Sequence, residues 1–209
     1  MNEEETRKMT IVNLFPIPVS QSNIGRDFTN DELTFIKQQS TYASTGNRCT
    51  DTGNLLDSIE MSDIRDILQG ALDTYYNHVF SPKSKTEIYI TQSWANYTDT
   101  GQFHHSHSHA NSYISGVLYI QTFKDDSIHF IRPLIQMPIL SIESVVSNHW
   151  NSPAWWLPAN SGELLLFPST LVHEVRLRNN PGTRISISFN TFLRGDIGNP
   201  EVRTGLTLT

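Results

Sequence analysis

The sequence predicts a mainly β protein, a sandwich or barrel whose helices cover one face. Apolar residues recur at helical spacing only in the first third of the chain, and the period falls towards two from Glu87 onward. Gly, Pro, Asn and Asp separate the β-like segments, and no long helix lies between them. This pattern excludes a doubly wound α/β fold, which needs helices alternating with strands.

Two helices are predicted in the first third. The segment 62–80 is the clearer one, with Ser62 as its expected N-cap, and residues 29–39 predict a shorter helix capped by Thr29. Both need a partner surface, and a sheet is the natural one. The apolar stripe of the longer helix consists of Ile64, Ile67, Leu68, Ala71, Leu72, Tyr75, Tyr76 and Val79.

Six β-strands are predicted after Glu87, each a short run of alternating or continuous apolar residues. They cover residues 87–98, 112–122, 127–134, 162–168, 171–178 and 183–193. Together with the helices, they predict one domain over residues 1–209. In this division, residues 1–86 form a helical part that covers the barrel, residues 87–193 form the barrel core, and residues 194–209 form a tail.

Composition narrows the class of protein. The 209 residues are 37% hydrophobic and 17% charged, which argues against disorder. The net charge is −6 and no run of Lys or Arg occurs, so a nucleic-acid partner is not expected. Cys49 is the single cysteine, which excludes an intrachain disulfide and a cysteine-based zinc motif. The charged start and the interrupted apolar runs predict a cytoplasmic protein without a membrane partner.

Four of the eight histidines lie within six residues, at His104, His105, His107 and His109. On a strand, residues two apart point the same way, so His105, His107 and His109 would share one face and His104 would point opposite. Two such imidazoles can converge on a metal ion, since neutral imidazole is the commonest metal ligand. A solvated polar loop is the alternative.

His173 is the best candidate for a third ligand, because it lies on a predicted strand with Leu171 and Val175 as its same-face neighbours. For a lone histidine, a core residue bonded to the backbone is the competing interpretation.

The last predicted strand separates an apolar face from a polar one. Arg184, Ser186, Ser188 and Asn190 alternate with Ile185, Ile187 and Phe189. A guanidinium followed two residues later by a hydroxyl makes a compact donor set for a carboxylate. A polar face that is simply wetted by solvent is the alternative.

The order of these features resembles the 2-oxoglutarate/Fe(II)-dependent oxygenases: a histidine pair, a lone histidine, and an arginine eleven residues later. More narrowly, residues 107–120, 161–175 and 183–190 resemble the oxygenases of this superfamily that are common in marine phages and bacteria. Residues 14–19 and 93–97 resemble further segments of those proteins. The resemblance implies a double-stranded β-helix, a jelly-roll, cupin-like barrel with N-terminal helices on one face.

The resemblance also implies a site. His107, His109 and His173 would hold Fe(II), with His104 and His105 in the preceding loop, outside the ligand set. Arg184 and Ser186 would bind the distal carboxylate of 2-oxoglutarate. Asn96 would touch the same cosubstrate. Dioxygen would be the oxidant of a hydroxylase, in the host cytoplasm if a phage encodes the chain.

One departure from the superfamily is at His109, which stands where Asp or Glu is usual. Three-histidine sites also hold zinc. The alternatives are therefore another three-histidine metalloenzyme on a cupin-like barrel, or a non-catalytic phage jelly-roll module in which the histidines hold a structural metal.

The substrate expected from the acidic composition is a protein side chain or a small molecule. Trp150, Trp155 and Trp156 crowd a predicted loop before the strand 162–168. They would either pack on the barrel rim or form an aromatic wall over the pocket.

Overall fold

The computed structural model of the chain describes residues 10–83, 85–137, 140 and 142–209. The charged first nine residues, on which the expected location partly rests, lie outside the described residues. Within the described part, no helix has both the length and the apolar character that a bilayer crossing requires.

Two α-helices precede the main strands, as predicted. Helix α1 spans Asn30–Lys37 and begins at Thr29, whose hydroxyl accepts from the backbone N–H of Glu32 while the Glu32 carboxylate accepts from that of Thr29. Helix α2 spans Ser62–Phe80. The predicted cap of α2 is wrong: Met61 is the N-cap, and Ser62 is already helical because a 3-10 turn over Ile59–Met61 leads directly into the helix.

Within the described residues, twelve strands form two antiparallel sheets. In chain order they are β1 (Ser20–Asn23), β2 (Thr41–Ala43), β3 (Arg48–Thr50), β4 (Thr86–Thr98), β5 (His104–His107), β6 (Ile114–Gln121), β7 (Ser127–Ile131), β8 (Ala154–Pro158), β9 (Glu163–Pro168), β10 (His173–Val175), β11 (Arg184–Ile197) and β12 (Leu206–Leu208). The large sheet has the order β1-β9-β6-β11-β4-β3-β2, with β12 paired to β11, and the small sheet has the order β5-β10-β7-β8.

The large sheet lies between the helices and the small sheet. Leu164 and Leu166 of β9 pack with both helices, whereas Leu165 and Phe167 of the same strand pack against β7. A strand buried on both faces explains its continuous apolar run. This two-sheet arrangement confirms the predicted mainly β jelly-roll with helices on one face.

The faces of β11 separate as the alternation predicts. Ile185, Ile187 and Phe189 are buried on the helix side. The Phe189 ring lies so close to Gly116 of β6 that a Cβ there would be 2.0 Å from Cζ, so only glycine fits this position. The opposite, polar face of β11 therefore points between the two sheets.

Several boundaries differ from the prediction. The first 86 residues contribute three strands as well as two helices, and β11 continues to Ile197, where β12 pairs with it. Residues 194–209 are therefore not a free tail. The predicted tryptophan loop contains β8, which pairs with β7 in the small sheet.

Candidate metal centre

Three histidines converge where the small sheet approaches Asn190, in the middle of β11. His107 closes β5, His109 follows it, and His173 opens β10 opposite His107. Their ring centroids are 4.4 Å apart for His107 and His173, 5.1 Å for His107 and His109, and 5.2 Å for His109 and His173. One ligand nitrogen from each lies within 4.8 Å of the other two. The structure thus brings together the three histidines that the sequence singled out.

The strand alternation within the cluster is not regular. Val175 pairs with His104 and His173 with His107, so two residue steps on β10 face three on β5. This irregularity places His104 against His107, with ring centroids 4.5 Å apart, and leaves His105 exposed. The prediction that His104 points opposite to His105 and His107 is therefore wrong. His104 and His105 also lie on β5, not in a loop.

Each of the three rings is oriented by a hydrogen bond at Nδ1. The acceptors are the backbone oxygen of His105 for His107 (2.7 Å), Oδ1 of Asn190 for His109 (2.6 Å) and the backbone oxygen of Leu171 for His173 (3.0 Å). Because an oxygen accepts in every case, Nδ1 carries the proton and Nε2 keeps its lone pair. Metal-binding histidines are held by such bonds as a rule.

Burial keeps these imidazoles neutral. It lowers the pKa of His107 and His109, and it lowers that of His173 to about 3. His109 also stacks on Trp94, with centroids 5.7 Å apart, and its Nε2 is buried without a hydrogen-bond partner. A buried lone pair without a donor, facing two further neutral imidazoles, fits a divalent metal ion.

Among the described residues, no carboxylate joins this group of ligand atoms. Glu174 is on the neighbouring position of β10 but pairs with Arg176. Asp99 accepts a hydrogen bond from the Thr183 hydroxyl and pairs with Arg48. The donor set is therefore three neutral nitrogens.

Arg184 opens β11 and is 3% exposed, which contradicts a solvent-wetted polar face. Its guanidinium donates to the backbone oxygen of Ser127 at 3.0 Å and lies 5.0 Å from the centroid of the Tyr119 ring. Tyr119 is fully buried, and its hydroxyl proton has no acceptor. A guanidinium has five N–H donors, so a buried cation and a free hydroxyl donor meet here without an anion among the described residues.

The other buried arginine differs in this respect. Arg178 donates to Asp126 at 2.8 Å and to the backbone oxygens of Thr98 and Gly182. Its charge is therefore balanced within the protein. Arg184 has no carboxylate partner among the described residues, so it is the arginine that is free to pair with a ligand.

Ser186 and Asn96 lie side by side on neighbouring strands of the same face. Ser186 is paired with Asn96 of β4 and with Tyr119 of β6. The Asn96 amide donates to the Ser188 hydroxyl at 3.0 Å and accepts from the Cys49 thiol at 3.2 Å. Asn96 therefore lines the interior but already uses both ends of its amide on protein partners.

Three residues of the site were not singled out for it from the sequence. Asn190 orients His109, Trp94 stacks on it, and Tyr119 adjoins Arg184. Asn190 belongs to the polar face that alternation along the last strand predicts, so the sequence could have indicated that it faces the site. Trp94 and Tyr119 look like ordinary strand residues until the pairing of β4, β6 and β11 is known.

The three tryptophans have different positions. Trp155 is opposite Phe130 of β7, whose ring lies 6.3 Å from that of His173, so Trp155 is on the side of the small sheet that faces the histidines. Trp156 is opposite His129 on the other side. Trp150 lies in a turn and donates through Nε1 to Asn13. The three tryptophans therefore do not lie together on one loop.

Residues 92–190 match a family model described as "Putative 2OG-Fe(II) oxygenase". Over these residues the chain is similar to the 2OG-Fe(II) oxygenases. The matched region runs from β4 to Asn190 and contains all three histidines, Arg184 and Ser186. This similarity does not favour a different three-histidine metalloenzyme or a non-catalytic module. No curated protein matches the chain.

Several solved structures share the fold of this chain. HygX from Streptomyces hygroscopicus, determined with nickel and 2-oxoglutarate bound, has a TM-score of 0.58 at 12% identity over 84% of this chain and 82% of its own. A 2OG-Fe(II) oxygenase family protein from Burkholderia pseudomallei has a TM-score of 0.53 at 15% identity over 76% and 74%. The epimerase SnoN from nogalamycin biosynthesis has a TM-score of 0.57 at 10% identity over 84% and 78%.

Proposed function

We propose that the chain is a 2-oxoglutarate-dependent hydroxylase in which His107, His109 and His173 hold Fe(II). The observation that supports this proposal is that two sets of unsatisfied polar groups lie on one interior surface. Three neutral imidazoles present free lone pairs at one place. On the same interior surface, the buried Arg184 has no carboxylate partner among the described residues, and the Tyr119 hydroxyl has no acceptor. A metal ion and a carboxylate would satisfy these two sets of groups.

The cosubstrate is expected to bind along the polar face of β11. Asn190 marks the metal end of this row through His109, and Arg184 marks the other end. Arg184 and Ser186 would bind the distal carboxylate of 2-oxoglutarate, and the Tyr119 hydroxyl would add a third donor. Burial raises the pKa of Tyr119 to about 12, so this hydroxyl keeps its proton. Asn96 would contact the cosubstrate through its side-chain edge.

The protein's own contribution to the reaction is ligation, orientation and exclusion of water. With Fe(II) bound, the site would couple oxidative decarboxylation of 2-oxoglutarate by dioxygen to oxidation of a substrate. Phe130 and Phe167 flank His173, with centroids 6.3 Å and 4.8 Å from its ring, and they keep solvent from that side of the ligands. Three neutral ligands leave the full charge of the ion in place, which favours a dianionic cosubstrate.

The substrate we propose is a protein side chain or a small molecule. The net charge of −6 and the absence of a Lys or Arg run do not favour nucleic acid. Trp155 is the tryptophan best placed to line the substrate pocket, because it is on the histidine side of β8. A cytoplasmic location, in a host cell if the chain is of phage origin, belongs to the same proposal.

The metal assignment can be tested by two alanine variants. We expect His173→Ala to abolish stoichiometric Fe(II) binding under anaerobic conditions, because it removes one of three ligands. His104→Ala is the matched control and should retain iron, since the Nε2 atoms of His107, His109 and His173 remain. Equal iron binding by the two folded variants would refute the assignment.

The cosubstrate assignment is tested by Arg184→Met, which keeps an apolar stem but loses the charged fork. A charged hydrogen bond contributes roughly 1.5–3 kcal/mol. We therefore expect 2-oxoglutarate to bind roughly tenfold to a hundredfold more weakly. Iron binding should persist because Arg184 is not a ligand. Anaerobic calorimetric titration of the iron-loaded protein measures the affinity.

Arg176→Met is the matched control for Arg184→Met, because the Arg176 side chain is 64% exposed and follows directly after β10. It should leave the affinity for 2-oxoglutarate unchanged. If Arg184→Met folds, holds iron and also binds 2-oxoglutarate like the wild type, the proposed role of Arg184 is wrong.

A further inference from the structure

A second group of three imidazoles lies beside the proposed iron ligands. One ligand nitrogen from each of His104, His105 and His107 is within 4.8 Å of the other two. The ring centroids are 4.5 Å apart for His104 and His107, 5.0 Å for His105 and His107, and 5.2 Å for His104 and His105. We call these residues the outer group and His107, His109 and His173 the inner group.

The irregular pairing of β5 with β10 produces the outer group. A regular strand would turn His104 away from His107, but the extra residue on β5 brings both rings to one side. His105 is exposed, whereas His104 and His107 are partly buried. The outer group is therefore open to solvent through His105. The inner group is more enclosed, because its member His173 is buried.

His107 belongs to both groups but can serve only one at a time. Its Nδ1 donates to the backbone oxygen of His105 at 2.7 Å, which leaves Nε2 as its single free lone pair. An ion bound by the outer group therefore takes the nitrogen that the inner group needs. The two groups are alternative sites, not a pair that fills together.

We propose that the outer group is a Zn²⁺ site, and that zinc bound there excludes a metal ion from the inner group. Three neutral imidazoles with an open fourth position are a ligand set that zinc accepts. Nitrogen ligands bind Zn²⁺ more tightly than Fe²⁺. The exposed His105 gives such an ion direct access from solvent. This proposal rests on the proposed function only in taking iron as the metal ion of the inner group.

The test uses protein in which the inner group is broken. His173→Ala removes an inner ligand and leaves all three outer imidazoles. His109→Ala does the same from another position and serves if His173→Ala does not fold. In either background we expect one Zn²⁺ to bind per chain by calorimetry. Co²⁺ should bind competitively with Zn²⁺ and give the visible absorption of an imidazole-bound ion.

Second substitutions in the same background identify the ligands. Adding His105→Ala should weaken zinc binding by about tenfold or more, and because His105 is exposed this change should not unfold the protein. Adding His78→Ala is the matched control, since His78 is an exposed imidazole on α2 outside both groups. It should leave zinc binding unchanged.

The proposal that zinc at the outer group excludes metal from the inner group is tested in protein with an unaltered inner group. Zinc should displace Fe(II) from the wild type, and it should do so less effectively from His105→Ala. Loss of zinc binding in both the His173→Ala and His109→Ala variants would overturn the outer site. Equal zinc binding with and without His105→Ala would also overturn it. Neither result would contradict the proposed function. That proposal would fail if His173→Ala kept its full Fe(II) binding.

Discussion

At the scale of single residues, two of the three buried side-chain atoms without a hydrogen-bond partner in the described part belong to the site: Nε2 of His109 and the Tyr119 hydroxyl. Arg178 and Arg184 are buried to a similar extent, but Arg178 is paired with Asp126, whereas Arg184 has no carboxylate beside it in the part of the chain that the structure describes. The sequence alone indicated Arg184, because alternation along its strand put it with Ser186 on a polar face. It could not indicate Tyr119, since a tyrosine in an apolar strand acquires its role only through the partner that pairing brings beside it.

Asn190 is a positioning residue for His109, and its role can be tested through metal binding. Asn190→Leu removes the acceptor of the His109 Nδ1 proton, so the ring loses its fixed orientation. We expect Fe(II) affinity to fall roughly tenfold to a hundredfold, the usual effect of losing such a partner. Asn190→Asp keeps an acceptor oxygen and adds a negative charge, so its affinity should equal or exceed that of the wild type. A folded Asn190→Leu variant with wild-type iron affinity would contradict this role.

At the scale of elements, the sequence predicted which side chains are buried better than it predicted which strands pair. Helix α2 and its apolar stripe agree with the structure because a stripe needs only local spacing. The faces of β5 do not agree, because a bulge depends on the partner strand and leaves no periodic signal. Strand β8 was missed for a related reason. Its tryptophans lie between prolines, which predict a loop, while edge pairing with β7 tolerates them.

The two predicted helix caps give a matched pair of stability tests. Thr29→Ala should lower the free energy of unfolding by about 1 kcal/mol, because it removes the hydroxyl that accepts from Glu32. Ser62→Ala should change it by about 0.5 kcal/mol or less, since the Ser62 hydroxyl is exposed and only donates to the Ile59 carbonyl. Urea denaturation of both variants measures the difference. Equal losses would mean that the capping box contributes nothing beyond an exposed hydroxyl.

At the scale of the whole molecule, the architecture follows from a sheet that is apolar on both sides. One side of the large sheet packs on α1 and α2 and the other packs on the small sheet. The sequence predicted this layering, because the N-terminal helices and the later strands each needed a covered face. The strand order could not be predicted, since β1 pairs with β9 and β3 with β4 across more than forty residues of chain.

We propose that residues 1–209 form one folding unit and that the barrel segment 87–193 is not stable alone. Removing residues 1–86 would expose the helix-facing side chains of the large sheet, among them Ile88, Ile90 and Ile187. It would also remove β1 from one edge and β2 with β3 from the other. Exposed apolar sheet surface and open edges lead to aggregation. We expect the full chain to unfold in a single calorimetric transition and the fragment to show none. A chain ending at residue 203 is the control: it loses only β12, which is largely exposed, and should keep the transition. A fragment 87–193 with its own cooperative transition would show instead that the barrel folds without its helical cover.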